Sequence, residues 1–354
     1  MTKFNEEIIY DDARKVAKEF FKNFNKNKRY KWIITGGAGF LLSYFLYIVE
    51  ILVETYKIKI NLVIYDNFFF GLDDRLKKFK RKKYITFINK DLSKYPIDKI
   101  DCDFFIHGAS IASPTFYRKY PIETIKVNVL TLIKILDNFS LKSKKPSSII
   151  FMSSSEVYGN PPKKLIPTPE NYVGNVSFVG PRACYDESKR IGETICVNYY
   201  KKFKLPIKII RPFNVYGPGQ NLNDKRVVPD ILKGIEKKKI VLYSDGKPKR
   251  SFCYISDQIR GILNIMLKGK NGQAYNVGND EMISIKNITK KFIKKSKNKT
   301  RLHFKINKDK NYNVDNPQNR CPNLKKIMKI NKWSVKIKTN EGILRTLKYY
   351  KLIN

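Results

Sequence analysis

The sequence predicts an α/β protein in which a doubly wound parallel sheet is followed by a smaller, mixed α/β domain. Short apolar runs alternate with helical patterns up to about residue 210, which is the order of parallel βαβ units. Beyond that point the alternation fades into shorter mixed elements. The chain has 354 residues, 42% of them hydrophobic, and is therefore long enough for two domains. We expect a helical extension over residues 1–30, the doubly wound domain over 31–210, and the second domain, partly interleaved with the first, over 211–354.

The periodicity assigns each element in turn. Helical spacing of apolar residues predicts an amphipathic helix at Phe4–Phe24, which packs on the body or on a partner subunit. The apolar segment Phe40–Val53 is too short to cross a bilayer, and Glu50 interrupts it, so we interpret it as a buried helix. Further helices are expected at Pro121–Phe139, Tyr185–Lys201, Arg226–Lys237 and Asp257–Leu267. Strands or extended segments are expected at Trp32–Thr35, Ile60–Tyr65, Tyr84–Asn89, Phe104–His107, Ser148–Met152, Ile207–Arg211, Ile240–Tyr243 and Ser251–Tyr254.

The charge is strongly one-sided. Lys and Arg number 71 against 31 Asp and Glu, which gives a formal net charge of +40. The basic residues occur in many short runs, without an aromatic-basic nucleic-acid motif, so we interpret them as a solvated surface. Binding of nucleic acid or acidic lipid is the alternative, and nucleic acid is not the expected partner. A positive field would still attract an anionic substrate.

Histidine and cysteine usage excludes several classes of site. The two histidines, His107 and His303, almost exclude a multi-histidine metal centre, so no metal is expected. The five cysteines are scattered and never spaced as C-x-x-C, which argues against disulfides and structural zinc and fits a reducing compartment. Residues 1–30 are charged throughout and contain no secretory signal, so we expect a cytoplasmic protein without membrane segments.

A glycine-rich turn indicates a dinucleotide site. Thr35–Phe40 (TGGAGF) lies between the first strand and the first apolar helix, where Gly36 and Gly39 allow the backbone to approach a pyrophosphate. Asp66 ends the next strand, where a carboxylate accepts hydrogen bonds from an adenosine ribose and repels a 2′-phosphate; NAD is therefore favoured over NADP. Leu42 occupies the position of the usual third glycine, which normally permits close packing of the helix on the strand, so we expect a displaced helix.

A tyrosine and a lysine four residues apart form the second chemical pattern. On a helix, Tyr185 and Lys189 share one face, and an ammonium group near a phenol lowers its pKa toward the value that a general base needs. The pattern follows the glycine-rich turn and a serine-rich strand end, Ser153–Gly159 (SSSEVYG), an order and spacing that chance does not readily produce.

These motifs together resemble the extended short-chain dehydrogenase/reductases, the NAD-dependent epimerase/dehydratase family. The likeness runs from about Lys31 to Lys351, and within the family the sequence is most similar to the UDP-glucuronate decarboxylases (UDP-xylose synthases). It implies a Rossmann-like NAD-binding domain over 31–210 and a nucleotide-sugar-binding domain over 211–354. Asn323 departs from the family's R-x-P-D pattern. The motifs are TGGAGF, DN at 66–67, HGASIASP at 107–114, SSSEVYG, the 168–190 segment ending in YDESKR, RPFNVYGPG at 211–219, NDKRVVPD at 223–230 and RSFCYISD at 250–257.

The resemblance implies roles for individual residues. Ser154 would hydrogen-bond the sugar O4, Tyr185 would be the base and Lys189 its electrostatic partner. Glu156 matches the decarboxylases' active-site glutamate; Ser155 precedes it where sugar 4,6-dehydratases carry the aspartate that expels the 6-hydroxyl. Arg250 matches the arginine that meets the substrate carboxylate. The cofactor residues would be Gly36, Gly39, Phe40, Asp66, Asn67, Asp91, Tyr185 and Lys189; the substrate residues would be Asn214, Arg226, Tyr243, Arg250 and Arg320.

Purely structural roles stay open as alternatives for some of these residues. Ser154 and Ser155 could only cap a turn, and Glu156 could be a structural partner of Lys189 or Arg250. Asn214 could be a turn residue. Two further residues lie near the motifs without an expected catalytic role: His107 is expected to support the cofactor loop, and Cys184 is not expected to be a nucleophile.

The resemblance implies a reaction that begins with oxidation of a sugar at carbon 4. The resulting ketone makes a carboxylate on carbon 5 a β-keto acid, so carbon dioxide leaves, and hydride returns from the reduced cofactor. UDP-glucuronate decarboxylation is the leading hypothesis; a nucleotide-sugar 4-epimerase or 4,6-dehydratase is the second, and a non-catalytic NAD-binding protein with a basic surface is the third. A homodimer is also implied, through the Tyr185 helix, on which Ile191, Ile195 and Val197 are apolar.

Overall fold

The computed structural model describes residues 4–97, 100–305, 314 and 317–353. In chain order the strands are β1 (Arg29–Thr35), β2 (Lys59–Asp66), β3 (Ile85–Asn89), β4 (Phe104–His107), β5 (Ser148–Met152), β6 (Ile207–Pro212), β7 (Val215–Tyr216), β8 (Lys239–Leu242), β9 (Lys249–Ser251), β10 (Cys253–Tyr254), β11 (Ala274–Val277), β12 (Met282–Ser284), β13 (Arg301–Phe304) and β14 (Asn319–Arg320). The helices are α1 (Glu7–Phe20), α2 (Tyr44–Glu54), α3 (Asp74–Lys77), α4 (Pro114–Lys119), α5 (Pro121–Ile125), α6 (Thr131–Ser140), α7 (Ala183–Phe203), α8 (Val227–Glu236), α9 (Ile255–Lys268), α10 (Ile285–Lys295), α11 (Lys325–Met328) and α12 (Thr339–Tyr349).

A seven-stranded parallel sheet forms the centre of the molecule. Its strand order is β11-β6-β5-β4-β1-β2-β3. Strands β2 and β3 lie on one side of β1, and β4, β5 and β6 lie on its other side, so the strand order reverses between β1 and β4. Thr35, the last residue of β1, lies opposite Tyr65 of β2 and His107 of β4. The loops after β1 and β4 therefore flank the point where the strand order reverses, which is where open α/β sheets bind ligands.

Both faces of this sheet are buried, as a doubly wound fold requires. Alternate residues of β1 divide between two cores. Trp32 and Ile34 join the larger cluster, with α1, α2 and α9, whereas Ile33 joins the cluster formed with α6 and α7. The predicted Rossmann-like fold is therefore confirmed.

Residues after β6 both extend this sheet and build smaller ones. β11 pairs with β6 and completes the edge of the main sheet. The remaining strands form short sheets in the orders β10-β7, β12-β9-β14 and β13-β8, beside α8 and α10. In the β9–β14 pair, Arg250 lies opposite Arg320, which brings two distant parts of the sequence together.

The predicted helix at Pro121–Phe139 is wrong as a single element. Two short helices, α4 and α5, each begin with a proline at the first helical turn, and a π-helical segment at Lys126–Leu130 separates α5 from α6. Proline fits the first turn of a helix but not its interior, so Pro121 starts a new helix. Helix α2 also begins later than expected, at Tyr44, because the glycine-rich segment continues as turns to Ser43.

Helix α1 packs on the body of the protein, as predicted. Its apolar face, which includes Ile9, Val16 and Phe20, belongs to the larger core. The helix contacts α2 of the main sheet's layer and also α9 and α12 from the end of the chain. Within the described residues, no helix is both long and apolar enough to cross a membrane.

Candidate active site

One cavity of about 840 Å³ runs along the carboxyl ends of the main-sheet strands and reaches the segments after β6. This size suits a cofactor together with a small ligand. Every residue to which the sequence analysis gave a cofactor, catalytic or substrate role lines it. These residues are Gly36, Gly39, Phe40, Asp66, Asn67, Asp91, Ser154, Ser155, Glu156, Tyr185, Lys189, Asn214, Arg226, Tyr243, Arg250 and Arg320.

The glycine-rich turn is held by its own geometry and by Asp66. Gly36 has a φ of +68°, and a methyl group built on it would lie 2.7 Å from the backbone N of Ala109, so only glycine fits. The carboxylate of Asp66 accepts hydrogen bonds from the backbone N of Ala38 (3.0 Å) and of Phe68 (2.8 Å). Burial raises the pKa of Asp66. Since a carboxylate has about four acceptor sites, Asp66 can order the turn and still accept from a ribose.

The other predicted cofactor residues order the loops at the rim. Asn67 Oδ1 accepts from the backbone N of Phe69 (3.2 Å), and Asp91 Oδ1 accepts from the backbone N (3.0 Å) and hydroxyl (2.7 Å) of Ser93. Both are local side-chain-to-backbone turns that fix a loop after a strand. The loops after β2 and β3 are thus shaped around the cavity.

A buried network behind the turn involves His107. Its Nε2 donates to the carbonyl of Val127 (3.2 Å), which leaves Nδ1 to accept from the hydroxyl of Thr35 (2.8 Å). Burial, followed by repulsion from a nearby lysine, lowers the pKa of His107 to about 3, so the ring is neutral. Thr35 Oγ1 in turn accepts from the backbone N of Gly108 and of Ala109, each at 3.2 Å. His107 therefore supports the loop, as expected, and does not titrate near neutral pH.

Helix α7 presents the tyrosine and the lysine to the cavity. The Tyr185 ring stacks on the ring of Tyr117, with centroids 5.0 Å apart and an angle of 9° between the planes. Lys189 Nζ lies 5.7 Å from the Tyr185 ring centroid and donates to the carbonyl of Met152 at 2.8 Å. Ser154 is hydrogen-bonded to Tyr185. The predicted Ser-Tyr-Lys set is thus assembled.

The expected pKa of the tyrosine is wrong for the protein alone. Burial raises the pKa of Tyr185 to about 12, although its hydrogen bond with Ser154 opposes the rise. Burial also lowers the pKa of Lys189 to about 7, so the lysine is only partly charged near neutral pH. Desolvation disfavours the charged form of both groups.

Ser154 has a second, structural role. It is the N-cap of the short 3₁₀ turn Ser155–Tyr158, and its Oγ accepts from the backbone N of Glu156 at 3.2 Å. The capping alternative and the catalytic one are therefore compatible, since a hydroxyl both donates and accepts. Ser155 is buried in the same turn.

A cluster of buried charges surrounds Glu156. Its carboxylate pairs with the guanidinium groups of Arg182 and Arg320. Burial opposes ionisation of Glu156, but these two arginines together with Arg250 hold its pKa at about 2. Arg182 Nε also donates to Asp186 Oδ2 at 3.3 Å. The site therefore combines three arginines with an ionised glutamate.

Arg250 reaches this cluster from a different side. Its Nη1 donates to the carbonyls of Lys249 (2.9 Å) and Gln318 (3.3 Å). Burial, followed by repulsion from Arg320, lowers the pKa of Arg250 to about 9. The ion pairs of Glu156 are with Arg182 and Arg320, and Arg250 attracts it electrostatically, so the structural alternative for Glu156 stays open with other arginines than expected.

The substrate-binding candidates line the part of the cavity built by the second half of the chain. Arg226 precedes α8 and its Nε donates to Asp224 at 2.5 Å. Asn214 lines the cavity, and its backbone carbonyl accepts from the backbone N of Cys253 at 3.0 Å. Tyr243 follows β8 and is 46% exposed at the rim.

The sequence analysis missed three residues of the site. Tyr117, Arg182 and Asp186 contact the catalytic groups as described above. Arg182 lies one helical turn before Tyr185, and that spacing was the available signal for it; Asp186 is the second residue of the motif that carries Tyr185. Tyr117 left no such signal, because it meets Tyr185 only through the fold.

The chemistry of the site lies in these oxygen and nitrogen groups. The described part of the chain holds no group of three or more His, Cys, Asp or Glu side chains placed to bind a metal ion. Cys184 lies beside the carbonyl of Tyr117, with its Sγ 3.5 Å away, and burial raises the pKa of its thiol. A raised pKa disfavours a thiolate nucleophile.

The chain is similar in sequence to UDP-glucuronic acid decarboxylases. UDP-glucuronic acid decarboxylase 5 of Arabidopsis thaliana is 34% identical over 315 residues, which is 88% of this chain and 86% of that protein. UDP-glucuronic acid decarboxylase 1 of Danio rerio is 31% identical over 330 residues, 93% of this chain and 74% of that protein.

Solved structures share the fold. A UDP-glucuronic acid 4-epimerase from Bacillus cereus, in complex with UDP-glucuronic acid and NAD, aligns with a TM-score of 0.75 at 24% identity, over 91% of this chain and 99% of that one. A dTDP-glucose 4,6-dehydratase from Streptomyces venezuelae aligns with a TM-score of 0.74 at 18% identity, over 90% and 96%. The model of the NAD dependent epimerase/dehydratase family matches residues 32–278. This chain therefore belongs to the NAD-dependent epimerase/dehydratase family of enzymes, with NAD as its cofactor.

Proposed function

We propose that the protein decarboxylates UDP-glucuronate, giving UDP-xylose or its 4-keto intermediate. The observation that carries this proposal is the group of three arginines, Arg182, Arg250 and Arg320, that lines the cavity beside Tyr185. Guanidinium groups recognise carboxylates through charge-assisted hydrogen bonds, so this group suits a substrate that carries a carboxylate. The similarity to UDP-glucuronic acid decarboxylases over most of the chain supports the same choice.

The first step removes a proton and a hydride from carbon 4 of the sugar. NAD supplies the hydride acceptor at carbon 4 and the positive charge of its nicotinamide ring. Tyr185 accepts the O4 proton as a phenolate, and Ser154, hydrogen-bonded to it, stabilises that form. Because burial holds the pKa of Tyr185 near 12 in the protein alone, we expect the phenolate to form only in the complex.

The second step breaks the bond between carbon 5 and the carboxylate. The ketone at carbon 4 takes the electron pair as an enolate while carbon dioxide leaves, and a proton then returns to carbon 5. This gives the 4-keto intermediate; UDP-xylose forms when carbon 4 regains the hydride from the reduced cofactor and O4 regains the proton from Tyr185. Arg250 and Arg320 stabilise the negative charge that moves between carboxylate and enolate. Glu156 is ionised, so we assign it the placement of Arg182 and Arg320, and we assign proton delivery to the adjacent Ser155.

The test is product analysis with UDP-glucuronate. The purified protein should release carbon dioxide and form a UDP-pentose or UDP-4-keto-pentose, identified by mass. Tyr185→Phe should lower the rate by about 100-fold or more, because the proton acceptor is lost. Tyr200→Phe, on the same helix but outside the cavity, is the control and should keep wild-type activity. A wild-type protein that forms neither product from UDP-glucuronate contradicts the proposal.

The second candidate is a 4-epimerase or 4,6-dehydratase that uses the same Ser154, Tyr185 and Lys189. Fold similarity to enzymes of both kinds keeps it open. Ser155 in place of an acid argues against the dehydratase. Conversion of UDP-glucuronate or a neutral UDP-hexose to an epimer without carbon dioxide would select the epimerase, and a protein silent with all these sugars would favour the non-catalytic alternative.

We also propose that the protein is a homodimer in the cytoplasm. Four apolar side chains on α5, the π-helical segment and α7 are exposed: Ile122 (58%), Ile125 (39%), Leu130 (54%) and Ile191 (44%). They lie on neighbouring elements, which suits a self-complementary contact. Ile195 and Val197 are not included in the proposed dimer contact, because both pack against the second core. The proposed compartment rests on five free thiols.

Light scattering tests the dimer. The wild type should have twice the mass of one chain at micromolar concentration, and the double substitution Ile122→Lys and Ile125→Lys should give the mass of one chain. Leu141→Lys is the control, since Leu141 is 87% exposed but lies beyond the end of α6. A wild type that runs as a single chain contradicts this proposal.

A further inference from the structure

Leu42 stands where a dinucleotide-binding turn usually has its third glycine. In this structure a glycine on a neighbouring loop leaves room for the larger side chain. Its side chain is 4% exposed and lines the same cavity as Gly36. A methyl group built on Gly108, in the loop after β4, would lie 2.1 Å from Leu42 Cδ1. No larger residue fits at 108 unless Leu42 moves. We propose that Leu42 and Gly108 are a matched pair that positions the NAD-binding turn, with the missing glycine supplied from the facing loop.

The backbone at Gly108 is not free to retreat. Its N donates to the carbonyl of Thr35 at 3.0 Å and to Thr35 Oγ1 at 3.2 Å. Thr35 Oγ1 is in turn bonded to the buried ring of His107. A side chain at 108 would therefore push Leu42 instead of moving away from it.

The turn that carries Leu42 is fixed from its other side. The hydroxyl of the next residue, Ser43, donates to the carbonyl of Phe40 (2.9 Å) and accepts from Arg75 Nη2 (2.8 Å). The backbone N of Ser43 also donates to the carbonyl of Gly39 at 3.0 Å. The first atom displaced is Cδ1, at the end of the Leu42 side chain; because that side chain is buried, a large residue at 108 also presses on the segment between Gly39 and α2, whose backbone N–H groups hold the pyrophosphate in this type of turn.

This pairing gives Leu42 a place in the turn that does not require a displaced helix. The turn keeps close packing between helix and sheet because the small residue of the pair is Gly108, in the loop after β4, and the large residue is Leu42, in the turn. Affinity for NAD then depends on the two positions jointly, and exchanging both residues should preserve it. The inference rests on NAD as cofactor and is independent of the sugar on which the protein acts.

A double-substitution cycle tests the pair. NAD dissociation constants are measured by calorimetry on cofactor-depleted wild type, Leu42→Gly, Gly108→Leu and the double variant. Gly108→Leu should weaken NAD binding by about tenfold or more through overpacking, and Leu42→Gly by a few-fold. The double variant should bind NAD within about threefold of wild type, because the two residues have exchanged places.

Gly261→Ala is the matched control. A methyl group there would lie 2.4 Å from Val277 Cγ1, a similar clash outside the cavity. It should lower the unfolding temperature and leave the NAD dissociation constant unchanged. If Gly108→Leu fails to fold, Gly108→Ala alone and with Leu42→Gly gives the same comparison. Wild-type NAD affinity in the Gly108 variant, or a double variant that binds no tighter than the Gly108 variant, overturns the pairing.

Discussion

At the scale of single residues, the charge cluster beside Tyr185 contains a carboxyl group with an unusual pKa. Burial, followed by repulsion from Glu156, raises the pKa of Asp186 to about 7, and Arg182 and Arg320 only partly oppose this. Among the described residues, no hydrogen-bond partner reaches Asp186 Oδ1. Asp186 is therefore a positioning residue. Its Oδ2 accepts a hydrogen bond from Arg182, and its carboxyl group lies in the same buried charge cluster as Glu156.

Asp186 should make the protein less stable as pH rises toward neutrality. Between the ordinary pKa of 3.8 and about 7, the folded protein binds more protons at this site than the unfolded chain, so stability falls with pH. Asp186→Asn mimics the protonated form. Its unfolding temperature relative to wild type should therefore rise between pH 5 and pH 8, by roughly 3 °C or more. A difference that stays constant over this range contradicts the raised pKa.

Glu156 and the arginines should act after the redox step. With Glu156→Gln or Arg320→Ala, oxidation at carbon 4 can proceed while loss of carbon dioxide or the return of the proton slows. Enzyme-bound NADH should then accumulate when UDP-glucuronate is added, seen as absorbance of the reduced nicotinamide. Tyr185→Phe is the contrasting variant and should show no such absorbance, because its hydride transfer is blocked. Normal turnover by both variants would remove Glu156 and Arg320 from the mechanism.

Residue types and spacing predicted the site well where a motif is local. The serine-rich strand end, the Tyr185–Lys189 spacing and the glycine-rich turn each place their groups within a few residues of one another. The partners of Glu156 were harder to predict, because Arg320 lies 164 positions away, on the two-residue strand β14 that pairs with β9. Pairing of short strands at such separation leaves no periodic signal in the chain.

At the scale of elements, helix α1 ties the two ends of the chain together. Asp12 is 1% exposed and accepts from Tyr254 Oη (2.7 Å) and from Arg345 Nη2 (2.7 Å) of α12. On the α2 side, Tyr10 donates to Glu50 at 2.6 Å. The extension before β1 is therefore part of the folded body and joins the layer of α2 to α9 and α12.

Loss of the buried ion pair between Asp12 and Arg345 should lower the free energy of unfolding. The more exposed ion pair between Asp11 and Arg345 is the matched comparison. Asp12→Ala leaves Arg345 without its buried partner and should lower the free energy of unfolding by about 3 kcal/mol. Asp11 pairs with the same Arg345 Nη2 at 2.5 Å, but its side chain is 38% exposed, so Asp11→Ala should cost at most about 1 kcal/mol. Urea unfolding at pH 7.5 measures both. Equal losses would show that burial does not set the strength of this contact.

Most elements could be predicted because their apolar runs are bounded by turns. Strands such as Phe104–His107 and Ser148–Met152 were predicted to the residue, since buried parallel strands are short and continuously apolar. The division of the region from Pro114 to Ser140 into several helical segments was not predicted. Its prolines and π-helical segment interrupt a pattern that still looks helical by periodicity alone.

At the scale of the whole molecule, the net charge of +40 bears on how substrate arrives. UDP-glucuronate carries negative charge on its diphosphate and its carboxylate, and Arg226, Arg250 and Arg320 line the cavity that we propose for it. A field of one sign raises the rate at which an oppositely charged ligand is captured. Salt screens this field over about 10 Å at 0.1 M ionic strength.

Catalytic efficiency should therefore fall with ionic strength. Between about 20 mM and 500 mM sodium chloride, kcat/KM for UDP-glucuronate should decrease by about tenfold or more, since electrostatic steering changes capture rates by this order. The value of kcat should change far less, because the buried cluster around Glu156 is shielded from the added ions. Steady-state assays across the salt series measure both constants. If kcat/KM stays flat while the protein remains folded by circular dichroism, the basic surface takes no part in substrate capture and is only a solvated exterior.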